Sequence, residues 1–130
     1  MAEVLLYNIA PEKLRKIRVA LMRLGVAGRT VSPNEYGHPL GYLAGMEGFA
    51  PAAEAPGEDI GSEMMVMCSL SSRQFSGLLD ALRASRATVT LKAVLNDNNA
   101  SWSSRELYRA LKTEHDTMQE YLAAKKKNRS

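Results

Sequence analysis

The chain holds one cysteine, Cys68, two histidines, His38 and His115, and one tryptophan among its 130 residues. A lone thiol excludes an internal disulfide and any cysteine cluster, and neither histidine stands at ligand spacing from Cys68 or from the other, so no metal centre is expected. Cys68 closes the apolar run Met64-Met65-Val66-Met67-Cys68, where a thiol behaves as a small buried hydrophobe. Runs of that length fall far below the roughly 20 apolar residues that cross a bilayer, so no membrane helix is expected. The N-terminal residues carry Glu3 and turn polar by Asn8, without a basic leader or a long apolar stretch. A secretory signal is therefore not expected, and the cytoplasm is the expected compartment.

Glycine-rich phosphate loops are missing as well. The two clear strands run into Asn8-Ile9-Ala10-Pro11 and Ser69-Leu70-Ser71-Ser72, which excludes the P-loop and dinucleotide fingerprints and leaves no cofactor to expect. No nucleophile sits in a recognisable elbow or beside a base. Glu114-His115-Asp116 is a compact polar cluster, but consecutive helical residues point about 100° apart and read as a solvated face. No catalytic or metal-binding residue is assigned.

The net charge of +3 is unevenly laid out. Residues 1–29 hold six bases against two acids, residues 30–72 hold six acids and no base, and residues 73–130 hold eleven bases against six acids. Each basic segment contains an expected helix, a layout that permits nucleic-acid contacts without requiring them.

Val4-Leu5-Leu6-Tyr7 is bounded closely by turn formers and reads as a buried strand. Pro11 opens a helix whose Leu14, Ile17, Leu21 and Leu24 share one face, and Gly25 ends it. A weaker strand follows over 26–31, closed by Ser32-Pro33. Residues 34–46 read as a loop leading into one short helix, and residues 48–62, rich in Pro, Gly, Ala and Glu, as an exposed linker. The pattern then restarts with a strand at 64–68, a helix over 72–84, a strand over 88–95 and a long helix from Ser104 to about Ala124. A constant offset that lays Leu5-Leu6-Tyr7 on Val66-Met67-Cys68 also lays Leu14, Ile17 and Leu21 on Phe75, Leu78 and Leu82, as a duplication would. Residues 1–124 are thus expected to form one domain, followed by a frayed basic tail at 125–130.

Two helix starts share a grammar. Leu70-Ser71-Ser72-Arg73-Gln74-Phe75 and Trp102-Ser103-Ser104-Arg105-Glu106-Leu107 each offer a capping serine, a reciprocal Gln or Glu three residues on, and a flanking apolar pair. Plain capping is the simpler reading. The sharper one is an anion site, in which free N–H groups and the adjacent Arg73 or Arg105 hold a phosphate or carboxylate. Around Tyr36, His38 and Tyr42, the glycines Gly37, Gly41 and Gly45 permit close backbone approach, a mixture used by ligand pockets, although such aromatic residues equally cover a core.

Glu35-Tyr36-Gly37-His38-Pro39-Leu40-Gly41 with Leu43-Ala44-Gly45, and Leu91-Lys92-Ala93-Val94-Leu95 followed by Asn99 to Trp102 and Glu106-Leu107-Tyr108, carry a resemblance over most of the chain. The chain resembles small bacterial proteins grouped as domain of unknown function 3783. That likeness implies a bacterial, cytoplasmic origin and brings no catalytic residue with it.

The expected architecture is an α/β fold with a four-stranded, mainly parallel sheet made of two βαβ-like halves plus a long C-terminal helix. A ferredoxin-like α+β arrangement, with the second and third strands antiparallel, is the alternative. In the parallel version Asn8, the loop after Val31, Ser69 to Ser72 and Asn96 to Trp102 gather along one sheet edge, where open α/β sheets bind ligands; the candidate ligand-binding residues are Tyr36, His38, Tyr42, Ser71, Arg73, Asn99, Trp102, Ser103 and Arg105. The favoured function is a non-catalytic binding or regulatory module for a small anionic ligand or a protein partner. Nucleic-acid binding through the basic helices comes second, and an enzyme with a dispersed site third.

Overall fold

The structure, a computed structural model, describes residues 2–52 and 60–127, leaving aside the side chains of Lys126 and Lys127. Its elements are β1 (Glu3–Tyr7), α1 (Pro11–Leu24), β2 (Ala27–Thr30), a single 3-10 turn (Pro33–Glu35), α2 (Leu40–Leu43), β3 (Met64–Cys68), α3 (Ser72–Ala84), β4 (Leu91–Val94) and α4 (Ser104–Lys127). The sheet order is β2-β1-β3-β4. β1 pairs parallel with β2 and β3 parallel with β4, while β1 and β3 meet antiparallel at the centre.

The sheet is therefore mixed, not mainly parallel. Each βαβ half is parallel within itself, but the two join head to tail. β2 and β3 do run in opposite directions, as the ferredoxin-like alternative requires. That alternative fails because β1 and β2 are direct neighbours, whereas its split βαβ unit leaves room for a strand between them.

Alternation along the central strands builds two cores. Val4, Leu6, Met65 and Met67 face α1 and α3, where Ile17, Leu21, Leu78 and Leu82 cover them. Leu5, Tyr7, Met64, Val66 and Cys68 face the other way, onto Tyr36, Leu40, Leu43, Ile60 and Leu107. Layers cover the central strands on both faces, which explains their uninterrupted apolar runs.

The halves repeat more deeply than their sequences do. In the central pair Leu5 faces its own mate, Val66, at the midpoint of the register, so a local two-fold axis passes between them. The non-glycine residues with positive φ, Asn8 (55°), Ser69 (58°) and Arg86 (57°), fall at matching positions, with Gly25 (71°) the mate of Arg86. Val26 N–H donates to Leu21 O, and their mates repeat the bond, Ala87 N–H to Leu82 O. After these turns Thr88, Val89 and Thr90 are extra, so the correspondence resumes beyond them: Val31 N–H donates to Leu6 O, and Leu95 N–H to Met67 O. The insertion also explains why β4 starts at Leu91 and not at Thr88.

Two other expectations meet the described residues over only part of their length. Within the linker, residues 53–59 lie outside the described residues, but Ile60 is buried in the second core and the Phe49 ring lies against Gly41, so the described flanks are anchored. The expected basic tail begins as helix, since α4 continues to Lys127; residues 128–130 lie outside the described residues.

Candidate functional site

The antiparallel central pair splits the expected ligand-binding edge. Asn8 and the loop after Val31 leave one end of the sheet, while Ser71, Arg73 and the turn after Val94 leave the other. The two glycine- and asparagine-rich turns nevertheless meet, over the second core. Pro39 and Ser103, which are mates in the resumed repeat, form an antiparallel bridge. Leu40 N–H donates to Trp102 O (2.8 Å), and Gly41 N–H donates to Ala100 O (2.8 Å). The segment around Tyr36 and that around Asn99 are thus the same structural device, repeated and joined at the axis.

Both turns spend their polar groups on themselves. Ser32 N–H donates to Glu35 Oε1 (3.2 Å), and at the equivalent place Asn96 N–H donates to Asn99 Oδ1 (2.9 Å). Buried Asn99 also gives its Nδ2 to Val94 O (3.0 Å). Arg29 clamps the first turn, donating to Leu43 O (2.6 Å) and to Glu35 Oε2 (2.5 Å). Burial raises the Glu35 carboxyl, but Ser32 and the Arg29 guanidinium outweigh it and hold the group below its usual range. Tyr36 is buried with its ring 5.7 Å from that of Tyr7. His38 stacks edge-on against Tyr42 at 5.0 Å, and its Nδ1 accepts the Ala52 N–H (3.0 Å). Tyr36 packs the turn onto the second core, while Tyr42 is exposed and pairs with half-buried His38.

The helix starts are capped as the sequence reads. Ser71 Oγ accepts from Gln74 N–H (3.1 Å) and Ser103 Oγ from Glu106 N–H (3.2 Å), with Gln74 and Glu106 returning to the serine N–H groups. Those donors are occupied within the chain. Arg73 is exposed, and the buried Arg105 Nε has no partner among the described residues. Ser71 and Arg73 therefore stand apart from the Tyr36 and Asn99 groups.

Two groups in the second core have strongly displaced acidities. Burial raises the Tyr7 hydroxyl, which shares a 2.8 Å hydrogen bond with buried Ser104 Oγ. Burial likewise pushes the Cys68 thiol up to about 12, so it stays protonated and inert at neutral pH. Among the described residues no group of three His, Cys, Asp or Glu is placed to hold a metal ion, and no helix is long and apolar enough to cross a membrane.

A large cleft lies elsewhere, in the groove between α1 and α3. It measures about 730 Å³, with Val19, Ala20, Leu24 and Ala81 as its apolar surface and Arg15, Lys16 and Arg23 around it. The helices approach closely there because α3 carries Gly77, where a Cβ would lie 2.9 Å from Leu24 Cδ2. Each helix also caps the other's end: Gln74 Nε2 donates to Leu24 O (3.2 Å), and Lys16 Nζ to Ser85 O (3.1 Å). Val19 and Met22 are exposed on the same helix. Sequence reasoning read this basic helix only as permitting nucleic-acid contacts; the signal it passed over was Val19 and Met22 standing outside the Leu14–Leu24 stripe.

Residues 63–118 match the family model described as Domain of unknown function (DUF3783). The likeness drawn from sequence therefore holds for β3, α3, β4 and α4 as far as Met118, a narrower span than most of the chain. The first half lies outside that match although it repeats the same backbone. A search of curated proteins and a search of solved structures each found no match.

Proposed function

We propose that this chain is a non-catalytic binding module that takes an amphipathic helix of a protein partner into the α1–α3 groove. The observation that carries this reading is the groove itself, an apolar trough of about 730 Å³ edged by Arg15, Lys16 and Arg23. Helix-in-groove recognition needs apolar anchors at helical spacing, and the basic rim favours an acidic partner. A small anionic ligand is less well served, because the capping N–H groups at Ser71 and Ser103 already have partners. A bacterial cytoplasmic setting belongs to the same proposal and rests on the family likeness.

The test is a titration of the dilute, isotope-labelled chain with a designed acidic amphipathic helical peptide, followed by NMR. Amide shifts concentrated at Arg15–Leu24 and Gly77–Ser85 are expected. Their absence overturns the reading. Nucleic acid is the competing occupant of a basic face, and an RNA duplex that binds there with a steep salt dependence, where the peptide does not, would replace the protein partner.

A further inference from the structure

A second exposed apolar surface stands at the far end of the molecule. From Asp116 onward the described side chains of α4 are all exposed, and Met118 (55%), Tyr121 (59%) and Leu122 (49%) form one stripe. The arm carries acids at Glu114, Asp116 and Glu120 with Lys125 beyond them, and the groove carries Arg15, Lys16 and Arg23 with Glu12 at its start. Asp116 is engaged by Lys112 at 3.1 Å, leaving Glu114 and Glu120 without an ion pair among the described residues. The arm and the groove of one molecule cannot meet, since α4 starts in the core on one face of the sheet while α1 and α3 cover the other.

Resting on the reading of the groove as a helix receptor, we propose that its occupant is the α4 arm of a second copy of this chain, lying antiparallel to α1. The groove-facing positions of α1 run Glu12, Lys16, Val19, Arg23, and those of the arm run Glu114, Met118, Tyr121, Lys125. Laid antiparallel, one register satisfies all four. Arg23 meets Glu114, Val19 meets Met118, Lys16 leaves Ser85 O to meet the face of Tyr121, and Lys125 leaves that same face, where its Nζ lies 5.9 Å from the ring centroid in the single chain, to meet Glu12. Opposite charges then stand at both ends, with an apolar contact and a cation–π contact between them. A parallel arrangement sets Glu12 against Glu114 and Arg23 against Lys125, which like-charge repulsion disfavours. The dimensions also agree, since twelve residues of arm span about 18 Å and the fourteen of α1 about 21 Å. Mutual exchange of arms closes a two-fold dimer and leaves neither groove empty.

The experiment mixes two full-length variants, Val19→Cys and Met118→Cys, under mild oxidation; buried Cys68 is common to both and protonated. The expected result is a Val19–Met118 cross-link between copies, with far less from Val19→Cys mixed with Glu120→Cys, whose thiol lies on another side of the helix. Sedimentation of Arg23→Glu should show dimer affinity weakened about tenfold, and adding Glu114→Arg to the same chain should restore it. Exposed sites keep these variants folded. A chain that stays monomeric, with no preferred cross-link, while the designed acidic peptide still shifts the groove, overturns the second copy and spares the receptor reading. If the peptide fails too, both fall. Dimerisation lost on Met118→Glu but indifferent to Arg23→Glu and unaccompanied by the Val19 cross-link indicates arm-to-arm pairing and overturns the proposal.

Discussion

α2 and α4 occupy equivalent places in the two halves. Each follows a self-bonded turn, each begins at the Pro39–Ser103 bridge, and each buries its first turn, through Leu40 and Leu43 in one and Ser104 and Leu107 in the other. There the likeness ends: α2 stops at Leu43, with Gly45 in the left-handed region at φ 75°, while α4 runs to Lys127. One helical turn suffices to seal the second core near the axis. Beyond His115 the described side chains of α4 are exposed, and this surplus length is what the second-copy proposal puts to use.

The halves can be compared by breaking equivalent residues. Ile17 and Leu78 are mates, both wholly buried in the first core, so Ile17→Ala and Leu78→Ala should each lower unfolding stability by about 2–5 kcal/mol. Denaturant melts giving equal losses would confirm that the repeat is energetic as well as geometric. A clear inequality would show that one half carries the fold.

Tyr7 and Ser104 sharpen the contrast, because their mates Cys68 and Leu40 form no such hydrogen-bonded pair. Tyr7→Phe leaves Ser104 Oγ without that partner and should cost about 1–3 kcal/mol. The same site sets a pH dependence. Burial raises its folded pKa above the ordinary value of 10.0, so above that pH the unfolded chain releases a proton that the folded chain retains. Stability from this group is complete below that pH and declines as pH rises beyond it; base titrations of native chain and Tyr7→Phe would reveal the difference.

Smaller effects follow at the turns. Gly25→Ala should destabilise by about 1 kcal/mol, and Arg86→Gly, at the matching left-handed position, should stabilise by up to about 1 kcal/mol. Opposite signs in thermal melts are the expected outcome. Ser71→Ala and Ser103→Ala, which remove equivalent helix caps, should each cost about 1 kcal/mol.

Much of the fold was legible. Apolar runs bounded by turn formers placed β1 and β3, while Pro11, Gly25 and the Ser71 and Ser103 boxes placed the ends of three helices. The repeat that pairs Leu5 with Val66 was legible because buried faces restrict residue type. Strand direction was not, since the long connection between β2 and β3 lets the second half enter either way, and the buried faces of both versions have the same composition. The continuation of the repeat beyond Thr90 was hidden because Ser32 with Glu35 and Asn96 with Asn99 make similar turns from different residues. The candidate site was least legible. Tyr36, His38 and Tyr42 drew attention as hydrogen-bonding aromatics, and the structure buries Tyr36 in the second core and sets His38 against Tyr42, whereas the groove arises from small residues such as Gly77 and Ala81 that carry no chemical signature.

On the second-copy proposal, the surplus length of α4 serves association of the chain with itself. Sedimentation equilibrium of the full chain beside the Met118→Glu, Leu122→Glu double variant tests it most directly. A dimer is expected for the native chain and a monomer of unchanged helical content for the variant, whose melting temperature, unlike the native chain's, does not rise with concentration. A native chain that remains monomeric at every concentration, or a variant that remains dimeric, would contradict it.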